Sequence, residues 1–285
     1  MTDYKQIVWL ASYPKSGNTW IRCFLDAYFL NELDLNDIVT SVTDDIVGLY
    51  QPGDSTDISK APIDIQHLCR PMALLRLVNM HNNTRGNNLP LFVKTHSPHL
   101  IANGVEYLPE SLTKCVIYIV RDPRDVLPSF SKHMGKNVDT GLEWMQDKYR
   151  TLGGTDRRTG ELISSWDNHV LSYIHADTHN VHYIRYEDLL NDPEQYFKKI
   201  LEHSGITPDL ERIRKAIDLT QLEKLKEKEQ KEGFRESSPF AKNEFFGDGG
   251  TKGRDKLQPK HLYRIEKAFG RVMKKLNYIA KKVAA

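Results

Sequence analysis

The nonapeptide Ser12-Tyr13-Pro14-Lys15-Ser16-Gly17-Asn18-Thr19-Trp20 constrains this chain more than any other segment. It follows a short apolar run, Ile7-Val8-Trp9-Leu10-Ala11, which reads as a buried strand. It leads into helical spacing over Asn18 to Leu30, with Trp20, Ile21, Phe24, Leu25 and Tyr28 on one side. A helix start offers free amide N–H groups and the positive end of a dipole, and both attract phosphate. Gly17 lets the backbone approach an anion, Lys15 adds a full charge, and Ser16 and Thr19 add hydroxyl donors. The segment therefore reads as a P-loop-like anion cradle. It is not Gly-x-x-x-x-Gly-Lys-Ser/Thr, because the lysine precedes the glycine and the first glycine is missing. The plainer reading is a β–α turn with a capping Ser or Asn. The density of phosphate-binding groups disfavours it.

Further strands are expected at Leu91 to Lys94, Cys115 to Val120 and Val181 to Arg185. Helical patterns separate them, at Ile65 to Met80, Arg124 to Met134, Leu162 to His175 and Glu194 to His203, with a closing amphipathic helix at Pro259 to Tyr278. Such alternation implies an α/β fold: a central, mostly parallel sheet flanked by helices in three layers. Ligands in such folds sit at the carboxyl ends of the strands. The 285 residues suit one domain, with unpatterned, substrate-lining or mobile segments at 31–61, 153–161 and 233–258. The mixed charge run Glu223 to Glu232 reads as a solvated helix face.

Lys plus Arg number 40 and Asp plus Glu 38, a balance that argues against a nucleic-acid binder. Three scattered cysteines, Cys23, Cys69 and Cys115, suggest neither a disulfide framework nor a zinc site. No apolar run approaches a membrane span, and the start is too polar for a signal peptide. The expectation is a cytoplasmic enzyme.

Tyr-Pro-Lys-Ser-Gly-Asn-Thr-Trp at 13–20 closely resembles the 5′-phosphosulfate loop of the soluble sulfotransferases. Their donor is 3′-phosphoadenosine 5′-phosphosulfate (PAPS), and the product is the bisphosphate PAP. Tyr118 to Val126, followed by Ser129, resembles the family's 3′-phosphate site, in which Arg121 and Ser129 would grip the nucleotide. Phe92-Val93-Lys94-Thr95-His96 is similar to the segment holding the catalytic histidine. Ile184 to Leu189 resembles the segment whose tyrosine, here Tyr186, approaches the adenine. Thr220 and Leu222 occupy positions similar to another adenine-contacting stretch of the family. Near the C-terminus the family has Arg-Lys-Gly on the 3′-phosphate; here stand Thr251-Lys252-Gly253, with Arg254 a candidate substitute. The opening residues look most similar to bacterial members of the family.

The resemblance implies sulfuryl transfer to a hydroxyl of a small-molecule or natural-product acceptor, with no metal required. The demands are those of phosphoryl transfer: positioning and charge stabilisation. His96 is the expected general base, since imidazole titrates near neutrality. Lys15 would stabilise the bridging oxygen, with Lys94 beside it. Lys15, Ser16, Gly17, Asn18, Thr19, Trp20, Arg121, Ser129, Tyr186, Thr220, Leu222, Lys252 and Gly253 form the expected nucleotide set. Trp20 and Tyr186 would flank the base, and Phe245 and Phe246 would wall the acceptor pocket. The bland alternatives are an Arg121 ion pair with Asp122 or Asp125, core packing for the aromatics, and a structural histidine. Two rival functions stand: a P-loop kinase or NTPase with Asp122 on Mg²⁺, or a non-catalytic nucleotide-binding module. Acceptor identity and oligomeric state are not legible at this level.

Overall fold

A computed structural model describes residues 4–51, 58–84, 89–177, 179–236, 245–247 and 249–280. The chain opens with β1 (Ile7–Ser12), α1 (Asn18–Leu30), β2 (Ser41–Thr43) and α2 (Val47–Tyr50). Then follow α3 (Ile63–Leu68), α4 (Arg70–Thr84), β3 (Leu91–Thr95), β4 (Ile101–Ala102), β5 (Val105–Glu106) and β6 (Thr113–Val120). The middle holds α5 (Pro123–His133), α6 (Val138–Gln146), β7 (Thr151–Leu152), β8 (Glu161–Leu162), α7 (Trp166–Ile174) and β9 (Val181–Arg185). The last described elements are α8 (Tyr186–Asn191), α9 (Pro193–His203), α10 (Leu210–Leu219), α11 (Leu222–Glu232) and α12 (Pro259–Lys275).

Five strands form one parallel sheet in the order β2-β3-β1-β6-β9. β1 is buried along its whole length because it is central and covered on both faces. Alternation decides which side chain goes where. Ile7, Trp9 and Ala11 enter a core with α4, α5, α6, α7 and α12, whereas Val8 and Leu10 enter a second core with α1, α9 and α10. These are the two faces of a three-layer fold. A smaller third cluster, including Cys23, Leu33, Leu225 and Phe246, joins α1 to α11 and to the C-terminal segment. Cys23, Cys69 and Cys115 are free thiols. Among the described residues no helix is long and apolar enough to cross a membrane.

Three elements differ from the sequence reading. The helix expected over Ile65 to Met80 is two, α3 and α4, meeting at Cys69. Pro71 has no N–H to continue the ladder but fits the first turn of a new helix. The helix expected from Leu162 starts at Trp166, because Ser164 takes a positive φ of 59° and residues 161–162 pair in a hairpin. The segment 31–61 supplies the fifth strand, β2, whose Thr43 lies beside Lys94 of β3. Parts of 31–61 and 233–258 lie outside the described residues.

Candidate active site

A cavity of about 1120 Å³ opens at the carboxyl ends of β1, β3 and β6, where this architecture places ligands. Its floor is the turn from β1 to α1. Lys15 and Gly17 both take positive φ, 66° and 108°, so the chain coils into a concave nest of amides. Gly17 is required twice. A side chain there would be strained, and its Cβ would lie 2.6 Å from the Tyr186 ring. Asn18 folds the loop back by donating to the Leu10 carbonyl at 2.8 Å and to Ser12 Oγ at 3.3 Å. Ser16 Oγ, Asn18 Oδ1, Trp20 Nε1 and Arg121 Nε are buried with no hydrogen-bond partner among the described residues. Orphaned buried polar atoms cost about 1–3 kcal/mol each unless a ligand satisfies them. Three of the four belong to donors, so these residues fit an anionic, hydrogen-bonding guest.

Lys15 Nζ lies 3.4 Å from the centre of the Phe245 ring. Burial, reinforced by Arg121, Lys132 and Lys94, pulls its pKa down to about 7. Phe245 is held in place from below: the Glu229 carboxylate accepts the backbone N–H groups of both Phe245 and Phe246. The charge run on α11 is thus more than a solvated face, for Glu229 is buried.

Among the described residues Arg121 makes no ion pair. Its Nη1 donates to the Lys15 carbonyl at 3.0 Å and its Nη2 to the Gly250 carbonyl at 2.7 Å, with the guanidinium 4.6 Å over the Tyr186 ring. Asp122 instead caps α5 and is covered by Arg124 and Arg254, while Asp125 takes Arg254. The Asp122 carboxylate is 1% exposed and spent on guanidinium groups, which removes the arrangement a Mg²⁺-binding kinase would need. Ser129 lines the same cavity as Arg121, because the chain turns at Asp122 before α5 begins.

Trp20, Tyr186, Thr220 and Leu222 line the cavity beside the loop. Trp20 and Tyr186 meet edge-on at 68°, so they offer a corner and not two parallel walls for a base. The Thr220 hydroxyl is committed to the Ala216 carbonyl at 2.8 Å. Leu222 packs closely over Gly249. At the C-terminal motif, Lys252 is exposed and Lys256 lines the cavity in its stead. Gly253 seats its segment against α5, since a Cβ there would lie 2.9 Å from the Asp125 carbonyl. Arg254 is an anchor to Asp125 and Asp122, so the phosphate role considered for it goes unsupported.

His96 follows β3 and leans across to β1. Its Nδ1 lies 2.7 Å from the Ser12 carbonyl, which only accepts, so Nδ1 carries the proton and Nε2 the lone pair. Its main chain is clamped on both sides. The amide donates to Glu161 Oε1 at 2.6 Å, and the carbonyl accepts from buried His169 Nε2 at 3.0 Å. His169 in turn meets the Tyr118 hydroxyl at 2.9 Å. Burial, helped by Lys94, holds the His96 imidazole well below its usual range, so it is neutral at pH 7. Glu161, Asp45 and Glu236 were invisible to motif reading, because they lie in stretches with no periodic or motif signal, and His169 because it lies in an expected helix but in no motif.

The chain has relatives among known proteins. Residues 5–277 match the family model described as Sulfotransferase domain. The chain is 26% identical over 224 residues to Sulfotransferase 1A1 of Bos taurus, covering 76% of this chain but only 65% of that relative's length. The mouse sulfotransferase SULT7A1 solved with PAP superposes with a TM-score of 0.59 at 18% identity, covering 96% of this chain and 86% of that one. Retinol dehydratase, solved with androsterone and PAP, gives 0.60 at 18% identity, covering 99% and 83%. The last two comparisons speak to the fold alone. By the match along nearly its whole length, the chain belongs to the sulfotransferase domain family.

Proposed function

We propose that this chain binds 3′-phosphoadenosine 5′-phosphosulfate and transfers its sulfuryl group to a hydroxyl of a small-molecule acceptor, as a cytoplasmic enzyme. The observation that carries the reading is the joint at Ser12: its carbonyl fixes the tautomer of His96, and the loop it begins is the anion nest. Base and cradle therefore face one cavity. The nucleotide supplies the sulfuryl group; the chain holds it and handles the proton. Ser16, Gly17, Asn18 and Thr19 would bind the 5′-phosphate through amides and hydroxyls. Arg121 and Ser129 would take the 3′-phosphate, with Lys252 and Gly253 left the lesser role of shaping the segment nearby. Trp20, Tyr186, Thr220 and Leu222 would bound the adenine. Lys15 would meet charge growing on the bridging oxygen, and Lys94 that on the sulfuryl oxygens. Neutral His96 would accept the acceptor's proton at Nε2.

Calorimetric titration with PAP and, separately, with ATP plus Mg²⁺ tests the reading. PAP should bind at least about a hundredfold more tightly, as loss of a charged phosphate contact implies. Equal or tighter binding of ATP plus Mg²⁺ would overturn it.

A further inference from the structure

We propose that the acceptor is a neutral molecule bearing several hydroxyls, such as a sugar, glycoside or polyol, and that Glu161, Asp45 and Arg158 select it. This rests on the sulfotransferase reading above and extends it to a substrate class.

The argument starts from Lys94 and His96, which end β3 inside the cavity. The parallel register places Thr43 of β2 beside Lys94, and the Asp44 amide donates to the Lys94 carbonyl at 3.2 Å. The next two residues divide their labour. Asp44 is sealed and paired with Arg70, whereas Asp45 lines the cavity and pairs with Arg158. Arg158 sits on the β7–β8 hairpin, which is stitched to this wall by Thr159 N–H on the Asp45 carbonyl at 2.8 Å. The hairpin also brings Glu161, which accepts the His96 amide and has no guanidinium partner among the described residues. Glu236 completes the wall, paired with Arg22 at 2.6 Å.

The ground beside the base is therefore built of carboxyl and guanidinium groups. A hydrocarbon acceptor would strip water from them and return no hydrogen bond, a double loss. A hydroxyl both donates and accepts, so adjacent hydroxyls can serve Asp45, Arg158 and Glu161 together. Two of the three acids are matched by a guanidinium, so neither a polyanion nor a polycation is favoured by a strong field of one sign. Burial, with Asp44 and Asp45 adding to it, raises the Glu161 carboxyl to about 8, so at neutral pH it also offers a proton to a hydroxyl oxygen. Leu152, in register with Glu161 across the hairpin, gives the C–H face of a ring somewhere to rest. Retinol dehydratase, by contrast, is solved with androsterone, a largely hydrocarbon molecule.

The test uses the whole chain, radiolabelled PAPS and a matched pair: 4-methylumbelliferone, whose only hydroxyl is phenolic, and its β-glucoside, whose hydroxyls are all on the sugar. Sorbitol and methyl glucoside extend the polyol arm. The kcat/KM for the glucoside should exceed that for the phenol by about tenfold or more, the worth of one retained polar contact. Arg158→Met and Glu161→Gln should each raise the glucoside KM by about tenfold while PAP affinity stays within about twofold. Glutamine still accepts the His96 amide, so the glucoside kcat should stay within about threefold. Preference for the phenol, or no transfer to any sugar or polyol by protein that binds PAP, overturns the inference. So does an equal fall in kcat for both acceptors in Glu161→Gln, which would reduce Glu161 to a prop for His96. Failure of PAP itself to bind would strike the parent reading and not this extension.

Discussion

The two halves of the cavity are built by different means. The half proposed for the nucleotide is a single local device: one strand end, one nest and one helix start within Ser12 to Trp20. Several of its buried polar atoms, Ser16 Oγ, Asn18 Oδ1 and Trp20 Nε1, have no partner among the described residues, and its geometry is enforced by backbone sterics at Lys15 and Gly17. The half proposed for the acceptor is assembled from β2, the β7–β8 hairpin and residues 235–236, and its carboxylates already have partners: Asp45 with Arg158, Glu236 with Arg22, Glu161 with the His96 amide. A site waiting for a fixed anion keeps its donors unpaired. A wall that must also exist without ligand pairs its charges, since lone buried charges are costly. The two halves thus differ in whether their buried polar atoms already have partners.

That contrast can be broken most sharply at its seam. His96→Gln should cut turnover by about 10²–10⁴, the usual worth of a general base, while PAP affinity stays within about twofold. Radiometric transfer and calorimetry together check this, and retained turnover would place the base elsewhere. The next effect belongs to the nucleotide half alone. Lys15 in the free protein titrates near 7, depressed first by burial and then by Arg121. A bound phosphate favours its charged form, so binding above that pH must take up a proton. PAP should therefore bind about tenfold more weakly per pH unit above about 7, up to the pKa of the bound state. Calorimetry in two buffers of different ionisation enthalpy counts the proton; a pH-independent Kd from 7 to 9 contradicts it. The smallest effect separates anchor from ligand. Arg254→Met should lower stability by roughly 1–2 kcal/mol, discounted because the side chain is a third exposed, or about 2–6 °C in Tm. PAP affinity should change by less than about threefold; a loss of thirtyfold or more would make Arg254 a phosphate ligand.

The same contrast governs what could be read from residues alone. β1, α1 and the turn between them were legible because strand alternation, helix spacing and glycine chemistry are all local signals. Arg121 and Ser129 were legible as a pair, but not the turn at Asp122 that brings both to one cavity. β2 escaped notice: three residues, Ser-Val-Thr, at a sheet edge, whose partner β3 starts about fifty residues later. Asp45, Glu161 and Glu236 escaped for the same reason, since pairings distant in sequence, with Arg158, the His96 amide and Arg22, bring them to the cavity. Glu229 was misread because its helix is polar almost all round, and only the backbone of Phe245 and Phe246 gives that one carboxylate its task.

One contact has reach beyond the reaction. The imidazole of His96 braces on the last carbonyl of β1, the most deeply enclosed strand of the sheet. Its ring is thereby referenced to the centre of the sheet, while its amide leans on Glu161 of the β7–β8 hairpin. The rim of the cavity can therefore differ at residues other than Glu161 while the imidazole stays where the sheet holds it.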